Sequence, residues 1–469
     1  MEKLLNQILE EIRPSPEQEE KVKKLSETFL EITNQEAQKF DGTAIIAGSL
    51  TRDTWLPTKN EFDVFIIFPQ NITEKKLEEE GLKIGKKVIE KLKGKWELQY
   101  AQHPYVRGTV KGVDVDIVPC YNVESAEKIK SAVDRTPFHV RYLDKNFPRE
   151  LSDDVRLLKR FLQANNIYGA DNKTEGFSGY ICEILVMKYG KFLNILKNVL
   201  KWKPRKIIDI ESHWDKENYD LLRNQFSNDI LIVIDPVDKR RNAAAAISAK
   251  NFYKFKKIAR EFLQIEKKSL FYETGVKPLD ERDFAEKVED RGTEVFFIKF
   301  KKPDVVDDIL YPQLRKFINR LESVLRDYEF NVLRSDYWTD EKNTGVLMEF
   351  EVSKLSVVNK RIGPEVFDLE NSLNFLQKYR KIAVNGPTIE GNNWIVEINR
   401  QWKTAEDKLK EFLKDNKKSL EAKGIPNYIA KEISSKFELM DIKKIRKFME
   451  KNKDFSIFLR KYLEMEKLV

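Results

Sequence analysis

A chain of 469 residues exceeds one ordinary core, so about three domains are expected. It is 41% hydrophobic and 35% charged, and no stretch approaches the roughly 20 apolar residues of a membrane span, which fits a soluble globular protein. Two cysteines and three histidines exclude a disulfide framework and a zinc pattern, while a formal charge of +8 permits a polyanionic partner without requiring one.

The acidic, amphipathic start "MEKLLNQILEEIRPSPEQEE" resembles neither a secretory signal nor a transit peptide, and a cytoplasmic location is expected. Ser15 and Pro16 then read as a cap and first turn, predicting a helix to about Phe40. "TAIIAGS" predicts a short buried strand that breaks at Gly48, with a helix beginning at Ser49. "EFDVFIIFP" predicts a second strand, Thr73 to about Leu92 a helix, and "WELQYA" another strand. "YVRGTVKGVDVDIVPC" predicts a hairpin turning at Lys111-Gly112. Mixed strands and helices give an α/β or α+β head over residues 1–150.

Helical spacing takes over from Asp153 and predicts a mainly helical domain over 151–265. "DDVRLLKRFLQANNIYGA" reads as a helix stopped at Gly169, and "GFSGYICEILVMKYGKFLNILKNVLKW" as a second long helix. "ILIVIDPVDKRRNAAAAIS" reads as an apolar run, a proline turn and a helix. Residues 266–440 show β-α-β-β order and a later strand "NNWIVEINRQW", which predict a small α/β body with a tail over roughly 335–385. Residues 441–469 read as a helical extension without a usable motif.

Strand alternation puts Glu61 and Asp63 on one face, with backbones about 7 Å apart. Asp114 and Asp116 repeat that spacing on the hairpin, and a third carboxylate from there completes an oxygen-rich cage suited to magnesium. Two-metal phosphoryl transfer needs such a set, to activate an attacking hydroxyl and to steady a leaving triphosphate oxygen. Gly48 lets backbone approach a phosphate, Ser49 offers a hydroxyl, and Arg52 lies one turn on.

The set "AGSLTRDTWLPTKNEFDVFIIFP", "VDVDIVPCY", "SAVDRTPFHVRYL", "VRLLKRFLQANNIYGA", "GFSGYICEILVMKYG", "DPVDKRRNAAAA", "LYPQL" and "RIGPEVFD" resembles the archaeal CCA-adding enzymes. These are class I tRNA nucleotidyltransferases of the DNA polymerase β superfamily. The resemblance implies an α+β multidomain chain, with a polymerase β-like nucleotidyltransferase head, a helical neck that recognises the base, and a body and tail that bind tRNA. It implies addition of C, C and A to the 3′ end of tRNA from CTP and ATP, with Mg2+ as cofactor. Glu61, Asp63 and Asp116 match its catalytic, metal-binding carboxylates, and Asp114 stays a candidate behind them. Gly48, Ser49, Arg52, Thr136, His139, Lys159, Tyr168 and Arg241 match its nucleotide-binding positions, and Arg361 is the RNA-binding candidate. Relatives of this type can pair as homodimers.

Most of these residues also have a plain structural reading. Thr136 can cap a turn, His139 can be a satisfied structural group, Lys159 a solvated lysine and Tyr168 core packing. Asp235 and Asp238 can hold Arg241 or merely cap the following helix, and Arg240 reads as solvent-facing. His103 and Tyr105 lie near the acids, where a primer end would come. The alternatives for the whole chain are a poly(A) polymerase or oligoadenylate synthetase, and a non-catalytic RNA-binding protein on the same fold.

Overall fold

The computed structural model describes residues 1–58, 60–100 and 104–468, the side chain of Tyr100 excepted. The chain divides into two compact units, one of residues 1–275 with 306–308 and 467–469, the other of residues 276–305 and 309–466.

In the first unit, α1 (Glu2–Ile12) buries Leu5, Ile8, Leu9 and Ile12, an apolar stripe at helical spacing. α2 (Pro16–Ala37) starts at a reciprocal capping box between Ser15 and Gln18. β1 (Thr43–Ala47) runs into Gly48. The helix expected there is a single 3-10 turn, Ser49–Arg52, closed by Asp53 in the left-handed region at φ 54°. So short a turn contributes local N–H groups but no developed helix dipole.

β2 (Glu61–Phe68), α3 (Glu74–Lys91), β3 (Lys95–Tyr100), β4 (Pro104–Val110) and β5 (Val113–Tyr121) complete a five-stranded sheet, ordered β1-β2-β5-β4-β3. β4 and β5 form the expected hairpin, and Lys111 and Gly112 both have positive φ, 52° and 78°, as a two-residue primed turn requires. β2 pairs with β5 in parallel. Alternation divides their side chains between two cores. Phe62, Val64, Ile66, Val115 and Ile117 share one core with Val22 and Phe29 of α2 and Leu77, Ile84 and Val88 of α3. Phe65, Val118 and Cys120 lie on the other face, against Val140 of α4 (Thr136–Asn146). Asp63 and Asp116 share that second face, by the period of two.

α5 (Ser152–Ala164) ends before Gly169, because Asn166 already turns left-handed at φ 56°. The long apolar helix expected next is two helices, α6 (Gly179–Tyr189) and α7 (Phe192–Val199), broken where Gly190 takes φ 73°. The region expected to be mainly helical also holds a three-stranded sheet. It comprises β6 (Lys206–Ile208), β7 (Leu231–Asp235) and β8 (Asp238–Asn242), with α8 (Tyr219–Gln225) between the first two. The run around Arg241, expected to enter a helix, is therefore a strand. Asn242 ties it down: its side-chain oxygen accepts from Val233 N–H and its amide donates to Leu231 C=O, both on β7. The helix α9 (Ala249–Ile265) starts only after the Ser248 cap. Phe161, Phe192, Phe255 and Phe262 of these helices meet in one core with Phe177, which precedes α6.

The second unit begins with α10 (Glu281–Asp290) and then shows the expected β-α-β-β order: β9 (Glu294–Lys301), α11 (Asp307–Asp327), β10 (Asn331–Thr339) and β11 (Asn343–Val352). Next come β12 (Val358–Glu365), α12 (Leu369–Tyr379), β13 (Ala383–Glu390) and β14 (Asn393–Asn399), forming a separate sheet ordered β12-β14-β13. α13 (Ala405–Leu413), α14 (Lys417–Ala422), α15 (Asn427–Ser435), β15 (Phe437–Met440), α16 (Ile442–Lys451) and α17 (Lys453–Leu463) complete the unit. β15 joins the first sheet beside β9, giving the order β10-β11-β9-β15. Phe455 and Leu459 of α17 pack with Phe297 and Trp338, so the C-terminal segment shares a core with that sheet. Among the described residues, no helix is long and apolar enough to cross a membrane.

Candidate active site

The parallel register of β2 and β5 sets Glu61 beside Asp114 and Asp63 beside Asp116. Asp116 is 17% exposed, and Arg107 on β4, directly across from it, donates to both its carboxylate oxygens at 2.7 and 2.6 Å. Asp114 accepts from the Thr109 hydroxyl at 2.7 Å. Burial, and then the charges of Asp116 and Glu61, push the Asp63 carboxyl up to about 7, although Arg107 pulls the other way. The three acids are thus close enough to act on one another, and Arg107 is the positive charge that opposes the shift of Asp63. Burial and the Asp116 charge also push the Tyr105 hydroxyl up to about 12. His103 lies outside the described residues.

Gly48 follows β1 directly, and β1 pairs Ala47 with Asp63. Gly48 has φ 87°, and a Cβ there would stand 3.2 Å from Asp63 Oδ2. Glycine is therefore demanded twice, by backbone conformation and by closeness to the acid. Ser49 opens the turn next to it. Arg52 is only 4% exposed, and its guanidinium is committed: Nε and Nη2 donate to Glu183 at 3.2 and 3.1 Å, and Nη1 to Thr51 at 2.7 Å. As placed it fixes the turn onto α6, and reaching a phosphate requires exchanging those partners.

Lys159 points inward, 2% exposed, and its ammonium donates to the Thr54 carbonyl at 3.0 Å and hydroxyl at 3.2 Å. Burial lowers its pKa. Tyr168 is half-buried, and loss of water around its hydroxyl raises it well above the ordinary value, with Cys182, Glu183 and Glu61 acting the same way. Lys159 and Tyr168 meet at the first residue of α6. A Cβ on Gly179 would stand 3.1 Å from Tyr168 Oη and 3.6 Å from Lys159 Nζ. The missing side chain leaves a small cradle lined by two donors at a helix N-terminus, a setting that favours an anion.

A second group gathers on Asp235, which is fully buried. Arg241 Nη1 donates to it at 2.7 Å, Tyr180 Oη at 2.9 Å and Val237 N–H at 3.1 Å. His139 Nε2 lies 2.8 Å from Asp235 Oδ2, and an ionised carboxylate only accepts, so that nitrogen carries the proton. The His139 ring stacks on Tyr180 with centroids 4.0 Å apart. Burial alone would raise the Asp235 carboxyl. The His139 hydrogen bond, the His139 and Arg241 charges and the Val237 N–H outweigh it and hold the group at about 2. Thr136 is the first residue of α4, one turn before His139. Asp238 binds Arg135 at 3.1 Å rather than Arg241.

Three family models match the chain: a nucleotidyltransferase domain over residues 26–139, the second domain of tRNA nucleotidyltransferase over 153–272, and the C-terminal domain of CCA-adding enzyme over 291–441. The CCA-adding enzyme of Methanosarcina acetivorans is 36% identical over 460 residues, covering 97% of each chain. That of Archaeoglobus fulgidus is 37% identical over 412 residues, covering 88% of this chain and 89% of its own. The chain belongs to the CCA-adding enzymes. Among solved structures, one of Cid1, described by its RNA terminal uridylyl transferase activity, aligns with a TM-score of 0.45 at 14% identity, over 58% of this chain and 98% of its own.

As a CCA-adding enzyme the chain is a nucleotidyltransferase, a class that works with divalent metal ions. Its acids fit such an ion: the donors are hard oxygens, and Asp63 is pushed up by neighbours whose charge a cation would offset. Among the described residues the acids do not close into a three-ligand cage, and Arg107 occupies Asp116 instead. Arg361, the RNA candidate, is exposed on β12 of the second unit.

Several residues of this site escaped sequence reasoning. Arg107 sits in an alternating strand where an arginine reads as solvent-facing. Tyr180 reads as helix packing. Glu183 left a usable signal, being an acid inside the apolar run "GYICEILVM" that needs a partner once buried. Asp134 accepts from Tyr121, Lys130 and Ser131 N–H groups and so sets the approach to α4.

Proposed function

We propose that this CCA-adding enzyme joins C, C and A in turn to the 3′ end of tRNA from CTP and ATP, with release of pyrophosphate, in the cytoplasm. Glu61, Asp63 and Asp116 are the residues that hold Mg2+. When bound, the metal activates the attacking 3′ hydroxyl and steadies the departing pyrophosphate. The observation that carries this reading is the carboxylate pair Asp63 and Asp116, in register on adjacent strands beside a glycine whose left-handed φ disfavours any side chain.

The other residues bind and orient. Backbone N–H groups at Gly48-Ser49 and the Ser49 hydroxyl receive phosphate oxygens. Lys159 and Tyr168 bind the triphosphate at the Gly179 cradle. Arg241, 35% exposed and fixed by Asp235, presents planar donors to the base edge. His139 and Thr136 line the same nucleotide. Arg361 belongs to the RNA-binding surface, where phosphate contacts make affinity fall with salt. A homodimer is part of the proposal, tested by sedimentation.

The deciding assay supplies tRNA lacking CCA with each nucleotide singly, then with CTP and ATP together. CTP alone should stop after C and C, and ATP should add only after them. Long poly(A) on arbitrary RNA, or tRNA binding without incorporation, refutes the proposal.

A further inference from the structure

We propose that Arg107 is the resident counter-ion of the catalytic acids, a positioning residue that competes with the divalent cation for Asp116 and so sets how tightly the centre binds metal. The inference rests on the reading of Glu61, Asp63 and Asp116 as metal ligands.

The register of β4 and β5 brings Arg107 opposite Asp116, and its fork takes both carboxylate oxygens at once, at 2.7 and 2.6 Å. A planar guanidinium matched to a carboxylate is a strong, directional contact. Each oxygen keeps a second lone pair, so the contact does not bar a metal ion, but it sets a positive charge against both oxygens that ligation would use.

The contact is built to open. Arg107 is 41% exposed while Asp116 is 17% exposed, so the guanidinium can leave to water while the acid stays in place. The backbone cannot follow it. The next residue, Gly108, has Ile89 atoms where a Cβ would lie, the nearest at 2.2 Å, which pins β4 on α3. Motion is therefore confined to the arginine side chain.

Arg107 also serves the metal-free state. It is a positive charge acting on Asp63, against the repulsion of Asp116 and Glu61. A cation that enters takes over that duty, and the two positive charges, held to the same carboxylate, oppose each other by repulsion. Metal affinity is then reduced by the fraction of molecules in which Arg107 holds the acid.

The test is Mn2+ binding to the full-length, metal-free protein, followed by electron paramagnetic resonance without nucleotide or tRNA. Arg107→Gln should bind Mn2+ about tenfold tighter than the parent, and Arg107→Lys, which keeps the charge but loses the fork, about threefold tighter. The lysine variant preserves a cation against the acids, so a misfolded glutamine variant leaves the comparison standing. Equal or weaker binding by the folded variants overturns the role of Arg107. The double variant Asp63→Asn, Asp116→Asn should lose the site. Binding that survives it overturns the carboxylate reading, and this inference with it.

Discussion

Two enclosed aspartates of the first unit invite comparison. Asp235 is surrounded by donors from His139, Tyr180, Arg241 and the Val237 backbone, and its carboxyl is held at about 2. Asp63 faces other carboxylates instead, and its carboxyl is pushed up to about 7. The first is a satisfied hub whose worth is the geometry it imposes on its partners. The second is a buried group whose neighbours are mostly of its own sign, with Arg107 the opposing charge. Burial acts the same way on both; the sign of the neighbours separates them.

The largest effect expected from breaking this contrast is on chemistry. Asp63→Ala should cut nucleotide incorporation by about a thousandfold or more, with tRNA affinity changed by less than about threefold, measured by single-turnover addition and filter binding. Incorporation near the parent rate would remove Asp63 from the centre.

Asp235→Asn should do less. It leaves the metal ligands alone but loosens Arg241 and His139, and kcat/KM for CTP and ATP should fall about 10- to 100-fold, as when an orienting partner is lost. Misincorporation of UTP or GTP should rise together with that loss. An unchanged nucleotide preference would separate Asp235 from base reading.

The smallest effect sharpens the contrast through stability. The folded-state pKa of Asp63 lies above its unfolded value, so its proton is held more tightly in the fold. Its contribution is fully present below about pH 4 and is lost as pH rises toward about 7, where the ionised group meets its neighbours. Metal-free Tm should therefore decline across that window by about 2–4 °C more in the parent than in Asp63→Asn. Asp235 has the opposite sign. Its contribution is present above the ordinary carboxylate range and fades only as pH falls toward about 2. Differential scanning calorimetry in chelator checks both, and parallel pH curves for parent and Asp63→Asn would contradict the account.

The local signals that could be read without coordinates were those with short range. The Ser15 cap, the Lys111-Gly112 turn and the β-α-β-β order each depend on neighbours a few residues away, and each appears as expected. The missed elements have long-range causes. β8 forms because the Asn242 side chain is anchored to β7, and nothing in "DKRRNAAAA" itself opposes a helix. The break at Gly190 is not marked by the sequence pattern, because an isolated glycine within an apolar helical run is often tolerated. The Arg52 partner was equally hidden, because its contact with Glu183 spans 131 positions of sequence.

By itself the sequence determined the residue types of the centre: three acids at strand spacing, a glycine where backbone must pass close, and the family those motifs belong to. Alternation in a strand is a local property of the backbone, so which face each acid takes follows from the order of residues alone. The tertiary structure alone decided what each charge meets. It put Arg107 on Asp116, Glu183 on Arg52, and His139 with Arg241 on Asp235. Arg52 and His139 find their partners 131 and 96 positions away, Arg107 and Arg241 theirs across a hairpin; all are chosen by strand register and helix packing, and electrostatic energy depends on separation in space rather than on position in the sequence.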